Sequence, residues 1–126
     1  MAMNDPERLF LQRIAENVNR ENRVAAIRTA ERVSEAKEEA ARLARAFAGE
    51  DPALRRAVLF GSVARGRVSG PDFDIDLGIE GGDILRYIAV AEKSSFTVDV
   101  VDLQNVSEEF RRLVLSEAVT LYEARQ

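Results

Sequence analysis

The stretch Ala57-Val58-Leu59-Phe60-Gly61-Ser62-Val63-Ala64-Arg65-Gly66, with Phe73-Asp74-Ile75-Asp76-Leu77-Gly78-Ile79 shortly after it, decides how the chain reads. Ala57 to Phe60 is a short apolar run closed by Gly61, as expected of a buried strand. The turn-rich segment from Gly61 to Pro71 follows. From Phe73 to Ile79 the residues alternate strictly. Phe73, Ile75, Leu77 and Ile79 fall on one face of a second strand, and Asp74 and Asp76 on the other.

Towards the C-terminus, Gly81-Gly82 turns the chain and Asp83 caps a short amphipathic helix carrying Ile84, Leu85, Ile88 and Ala89 to about Lys93. Phe96 to Leu103 reads as a third strand, Ser107 opens a last helix through Phe110, Leu113 and Val114, and Val119 to Tyr122 as a final short strand. Towards the N-terminus, Pro6 to Ala48 holds no glycine and no further proline and is rich in Ala, Glu and Arg, a helix-forming composition. Asp5 before Pro6 marks its start, and Gly49 with Asp51-Pro52 its end. Leu11, Ile14, Ala15 and Val18 keep helical spacing, and Ile27, Ala30, Val33, Ala36, Ala40, Leu43 and Phe47 continue it. The Asn-rich stretch Asn17–Asn22 weakens the pattern between them, so either two helices broken near residues 19–22 or one long helix is expected, with Glu16–Arg20 and Glu38–Arg42 as supporting pairs. The chain thus divides into a helical arm, residues 1–48, and a strand-containing core, residues 49–126.

The 126 residues are 46% hydrophobic and 32% charged, the composition of one globular domain long enough to bury a core without disulfides or structural metal. There is no cysteine and no histidine, which excludes disulfide scaffolds, Cys/His zinc sites, cysteine nucleophiles and Ser-His triads. Catalysis is left to carboxylates, hydroxyls, Lys and Arg. With 18 basic against 22 acidic side chains the net charge is −4, and residues 50–126 carry most of the acidity, so extended nucleic-acid binding is disfavoured. No run of about 18 apolar residues and no signal-peptide pattern occurs, so no membrane span is expected, and the default location is cytoplasmic.

Two features carry the chemistry. Gly61 lets a ligand approach the backbone, and Ser62 offers a hydroxyl and an N–H at the start of a helical turn, an arrangement suited to phosphate. Asp74 and Asp76, two apart on a strand, project to one face. Like charges so placed raise one another's pKa and oppose folding unless they are solvated or share a divalent cation. Asp is also a poor strand former. Asp99 interrupts the apolar third strand and joins the pair if that strand lies beside the second; Asp102 points to the opposite face and reads as solvated or capping.

At these residues the chain resembles the nucleotidyltransferases of the DNA polymerase β type, specifically the minimal nucleotidyltransferase (MNT) domain. The resemblance runs through Leu59–Gly66, Asp74-Ile75-Asp76-Leu77, Val98–Leu103 and Thr120-Leu121-Tyr122-Glu123, about residues 50–123. It implies an α+β fold, a small mixed β-sheet flanked by helices, here with an N-terminal helical extension. It also implies that Gly61 and Ser62 hold a nucleoside triphosphate, with Arg65 shaping the turn or touching phosphate. Asp74 and Asp76 would bind Mg²⁺, and Asp99 would be the third carboxylate, aligning or deprotonating the acceptor hydroxyl. Two Mg²⁺ ions and ATP are the implied cofactor and donor. The family's usual spacing from Gly-Ser to the first Asp is ten residues, and Val63 to Phe73 is eleven.

Family members this short resemble the antitoxin half of paired systems whose all-helical HEPN partner is silenced by adenylylation of a tyrosine hydroxyl. The implied activity is therefore Mg-dependent transfer of AMP to a hydroxyl on such a partner; the alternative is a catalytically weak module that neutralises a helical partner by binding alone. The arm exceeds the minimal domain. It is expected either to fold back on the core or, through its Ala-rich apolar stripe, to make a homo-oligomer or dock a partner.

Overall fold

The computed structural model describes residues 2–125. Helix α1 (Asp5–Glu50) is a single helix, about 70 Å long at 1.5 Å per residue. Of the two readings of the Asn-rich stretch, the continuous one holds, because Asn costs a helix only a few tenths of a kcal/mol and no glycine or proline breaks the run. The cap is Asn4 rather than Asp5: its side chain accepts from Glu7 N–H at 3.0 Å, and the Glu7 carboxylate accepts from Asn4 N–H at 3.2 Å. The helix passes through Gly49 and stops at Asp51, whose N–H donates to Phe47 C=O. Arg42 donates to Glu39 instead of Glu38, and Glu16 accepts from Gln12 instead of meeting Arg20.

Four strands follow in a sheet of order β3-β2-β1-β4: β1 (Arg56–Phe60), β2 (Ile75–Glu80), β3 (Val98–Asp102) and β4 (Val119–Glu123). β1 is antiparallel to β2 and β4, whereas β2 and β3 are parallel. A parallel pair needs a crossover, and α3 (Ile84–Ala91), capped by Asp83, provides it. The one-turn helix α2 (Gly61–Arg65) follows β1, and α4 (Glu108–Glu117), capped by Ser107, precedes β4. The fold is thus the expected α+β arrangement of a small mixed sheet and flanking helices.

The period-2 alternation of the strands gives the sheet two apolar faces. Ala57, Leu59, Ile75, Leu77 and Ile79 pack with Ala36, Ala40, Leu43, Ala44 and Phe47 of α1 and with Tyr87 of α3, where the Phe47 and Tyr87 rings lie 5.0 Å apart. Val58, Leu103 and Val114 of α4 form a smaller cluster on the other face. Gly78 lies there because a Cβ would come within 2.9 Å of the Leu103 side chain and 3.0 Å of Val58.

The second half of α1 is therefore one wall of the core. Its first half is bare: every residue from Ala2 to Arg28 is exposed. The expectation that the arm folds back is overturned, and the reason is mechanical. Folding back requires a turn, and the unbroken helix has none. Among the described residues no helix is long and apolar enough to cross a membrane.

Candidate active site

β1 ends at Phe60, paired with Asp76 of β2, and Asp76 is paired in turn with Asp99 of β3. Neighbouring strands lie about 4.8 Å apart. The parallel pairing therefore brings together two carboxylates that are 23 residues apart in the chain. Burial, the charges of Asp99 and Asp74, and hydrogen bonding with Asp99 all push the Asp76 carboxyl above the ordinary Asp value; Arg65 opposes this only in part.

The chain turns at Gly61 with φ 76°, and a Cβ at this position would overlap the Asp76 carboxylate. Glycine is required twice over, by the left-handed backbone and by the close approach. Ser62 follows in α2, half-buried, and its carbonyl accepts from Arg67 N–H at 3.0 Å. Gly66, at φ 67°, closes α2 in the left-handed conformation. The Gly-Ser and Arg-Gly elements of the sequence thus open and close a single turn of helix beside Asp76.

Asp74 lies just before β2, exposed, because the strand begins at Ile75 rather than at Phe73. It borders two open clefts. One, of about 330 Å³, is lined by Ser62, Arg67, Asp74 and Asp76 among others; the second, of about 530 Å³, has Arg32, Asp74, Phe96 and Thr97 in its walls. Both fall in the size range of small-molecule sites. Arg65 is exposed and meets Glu117 at 3.5 Å. Asp102 accepts from Gln104 N–H at 3.0 Å and from Asn105 at 2.7 Å, and so holds the turn that leaves β3.

Among the described residues no three acidic side chains are drawn close enough together to form a metal-binding cluster. Asp74, Asp76 and Asp99 are neighbours, with Asp76 the shared member. Their chemistry nonetheless fits a hard divalent cation: all donors are carboxylate oxygens, and the partly buried Asp76 carries uncompensated repulsion that a cation relieves.

Two residues escaped the sequence reading. Arg67 enters the smaller cleft beside Ser62, Asp74 and Asp76; its place directly after Gly66 was the available signal. Arg32, on α1, lies 3.7 Å from the centre of the Phe96 ring at the wall of the larger cleft. No local pattern marks it, since a helix face reaches this site only through tertiary packing.

No family model matches the sequence, and no curated protein matches it. Solved structures do. A chain of a toxin–antitoxin crystallised with AMP-PNP superposes with a TM-score of 0.56 at 22% identity, covering 68% of this chain and 74% of that one. A chain of the tri-AMPylated Shewanella oneidensis HEPN toxin in complex with MNT antitoxin superposes with a TM-score of 0.50 at 21% identity, covering 73% of each chain. By fold, the chain is like these toxin–antitoxin chains, consistent with the nucleotidyltransferase-like α+β arrangement expected from the sequence.

Proposed function

We propose that the protein is a Mg²⁺-dependent nucleotidyltransferase that moves AMP from ATP to a hydroxyl group on a helical, HEPN-type partner protein, as the antitoxin half of such a pair. The observation that carries this reading is the register that sets Asp76 beside Asp99 while Gly61 leaves room against the Asp76 carboxylate. Its support from other proteins is that one similar complex contains AMP-PNP and another an AMPylated HEPN toxin.

In this reading Gly61 and Ser62 hold the triphosphate through backbone N–H and hydroxyl, with Arg67 offering positive charge in the cleft beside Ser62 and Arg65 offering it in a separate cleft beside Gly61. Asp74, Asp76 and Asp99 hold the metal. When bound, Mg²⁺ neutralises the triphosphate and lowers the pKa of the attacking hydroxyl. Asp99 orients the acceptor hydroxyl and receives its proton as oxygen bonds to the α-phosphorus; the bond from that phosphorus to the bridging oxygen breaks, and pyrophosphate leaves. Most of the rate enhancement comes from positioning and electrostatics.

The test is incubation of the full chain with α-labelled ATP, Mg²⁺ and the helical partner. Label should appear on the partner and disappear with Asp76→Ala and with Asp99→Ala. Neutralisation of the partner that survives both substitutions, with no label transferred, would replace this reading by the binding-only one.

A further inference from the structure

Arginine gathers at the end of β2 that lies away from Asp76. Glu80 stands four residues beyond Asp76 on the same face, roughly 13 Å along the strand at about 3.3 Å per residue. An open cleft of about 410 Å³ at this end is lined by Arg55, Arg56, Arg111 and Arg125, with Glu80 and Glu123 as its acidic members. The arginines come from the start of β1, from α4 and from the chain just after β4. The cleft shares no lining residue with those beside Asp74 and Gly61, so it is a separate feature of the molecule.

The acids of the cleft do not use up its positive charge. Glu80 accepts from Arg56 and from Arg111, one N–H from each, and a guanidinium carries five such donors. Among the described residues neither Arg55 nor Arg125 forms an ion pair, and neither does Glu123. Four guanidinium groups against two carboxylates leave a local excess of two positive side-chain charges, in a chain whose net charge is −4. Arg56 Nε is buried with no acceptor, so the protein's own oxygens do not satisfy even the innermost of the four. Like charges gathered in this way repel unless an anion joins them.

We propose that this cleft binds a phosphate group, free or as the monoester of a small molecule. A guanidinium presents paired N–H donors that match phosphate oxygens, and it keeps its charge at every physiological pH. A phosphate carries close to two negative charges near neutral pH, which matches the excess in the cleft. Arg111, tied to Glu80 and still 41% exposed, is the anchored donor; Arg55 and Arg125, exposed and unpaired, close on the anion from the solvent side. Glu123 opposes the ligand and limits its affinity. The cleft exceeds the ion in size and falls in the range of small-molecule sites, so the organic part of a monoester also fits. The proposal does not depend on nucleotide transfer.

The test is titration of the full chain with inorganic phosphate, at constant ionic strength and without divalent cations, followed by calorimetry and by the phosphorus NMR signal. Binding should be saturable. Arg55→Gln combined with Arg125→Gln breaks no ion pair among the described residues and should weaken binding about tenfold. Arg111→Lys keeps the charge but loses the fork, and should weaken it as well. Glu123→Gln should tighten it about threefold, because a like charge leaves the cleft. Arg67→Gln, in the cleft beside Asp76, should change nothing. Glucose 6-phosphate binding more tightly than phosphate would identify a phosphorylated small molecule as the occupant, and equal or weaker binding would identify the free ion. No binding up to about 10 mM phosphate would overturn the proposal. So would binding that is indifferent to the Arg55 and Arg125 substitutions, or that is lost with Arg67→Gln.

Discussion

Asp76 and Glu80 stand on the same face of the same strand, two pleats apart, and their surroundings treat them in opposite ways. Burial opposes the charge of both. At Glu80, hydrogen bonds from Arg56 at 2.7 Å and from Arg111 outweigh it and hold the carboxyl below the ordinary Glu value. At Asp76, Asp99 and Asp74 add to the burial and hold the carboxyl above the ordinary Asp value. One carboxylate is placed where its charge is stabilised, the other where the fold alone works against it. The second arrangement is retained at a cost in stability, which is the mark of a group positioned for chemistry.

The sharpest way to break this comparison is by activity. Asp76→Asn should lower label transfer to the partner about a thousandfold, the equivalent of about 4 kcal/mol of lost charge stabilisation. Glu80→Gln should leave transfer per folded molecule nearly unchanged. Equal losses in the two variants would erase the distinction between a working and a structural acid.

Stability should rank them the other way. Glu80→Gln leaves Arg56 and Arg111 without their shared anion, and Arg56 Nε already lacks a partner. The pair is partly exposed, so a loss of about 2 kcal/mol is expected, below the range for fully buried pairs. Urea unfolding measures it. The same carboxylate sets an acid limit. Because its folded pKa is depressed, its stabilisation is complete above the ordinary Glu value of about 4.3 and fades as pH falls through the folded value. Unfolding followed between pH 6 and about 2.5 should show that part of the acid sensitivity missing in Glu80→Gln.

The smallest effect carries the opposite sign. Asp76 has a raised folded pKa, so its ionised form destabilises the protein at neutral pH, and the penalty is absent below the ordinary Asp value of about 3.9. Asp76→Asn should therefore raise Tm at pH 7, with the gain vanishing below about pH 3.9. Adding Mg²⁺ or Mn²⁺ should raise the wild-type Tm and act less on the variant. A variant less stable than wild type at pH 7 would remove the electrostatic account of this site.

Much of this was legible in residues alone. Alternation from Phe73 to Ile79 and the apolar run before Gly61 marked β2 and β1, and the Asp83 and Ser107 caps marked α3 and α4. Strand ends were less legible: β2 starts at Ile75 because pairing with β3, not alternation, decides where a ladder begins. The Glu80–Arg56–Arg111 cluster was not foreseen, since its members sit on β2, β1 and α4 and share no spacing.

What the sequence determined by itself is what short-range physics controls: the period-2 and helical patterns, the capping residues, the glycine turn and the absence of thiol and imidazole chemistry. Tertiary structure alone decided that Asp99 lies beside Asp76, that Arg32 and Arg67 reach the clefts, and that α1 runs straight past the core with its first half uncovered. These depend on which strands become neighbours and on what packs against a helix. Contacts between residues distant in the chain settle such questions, and local propensity does not encode them.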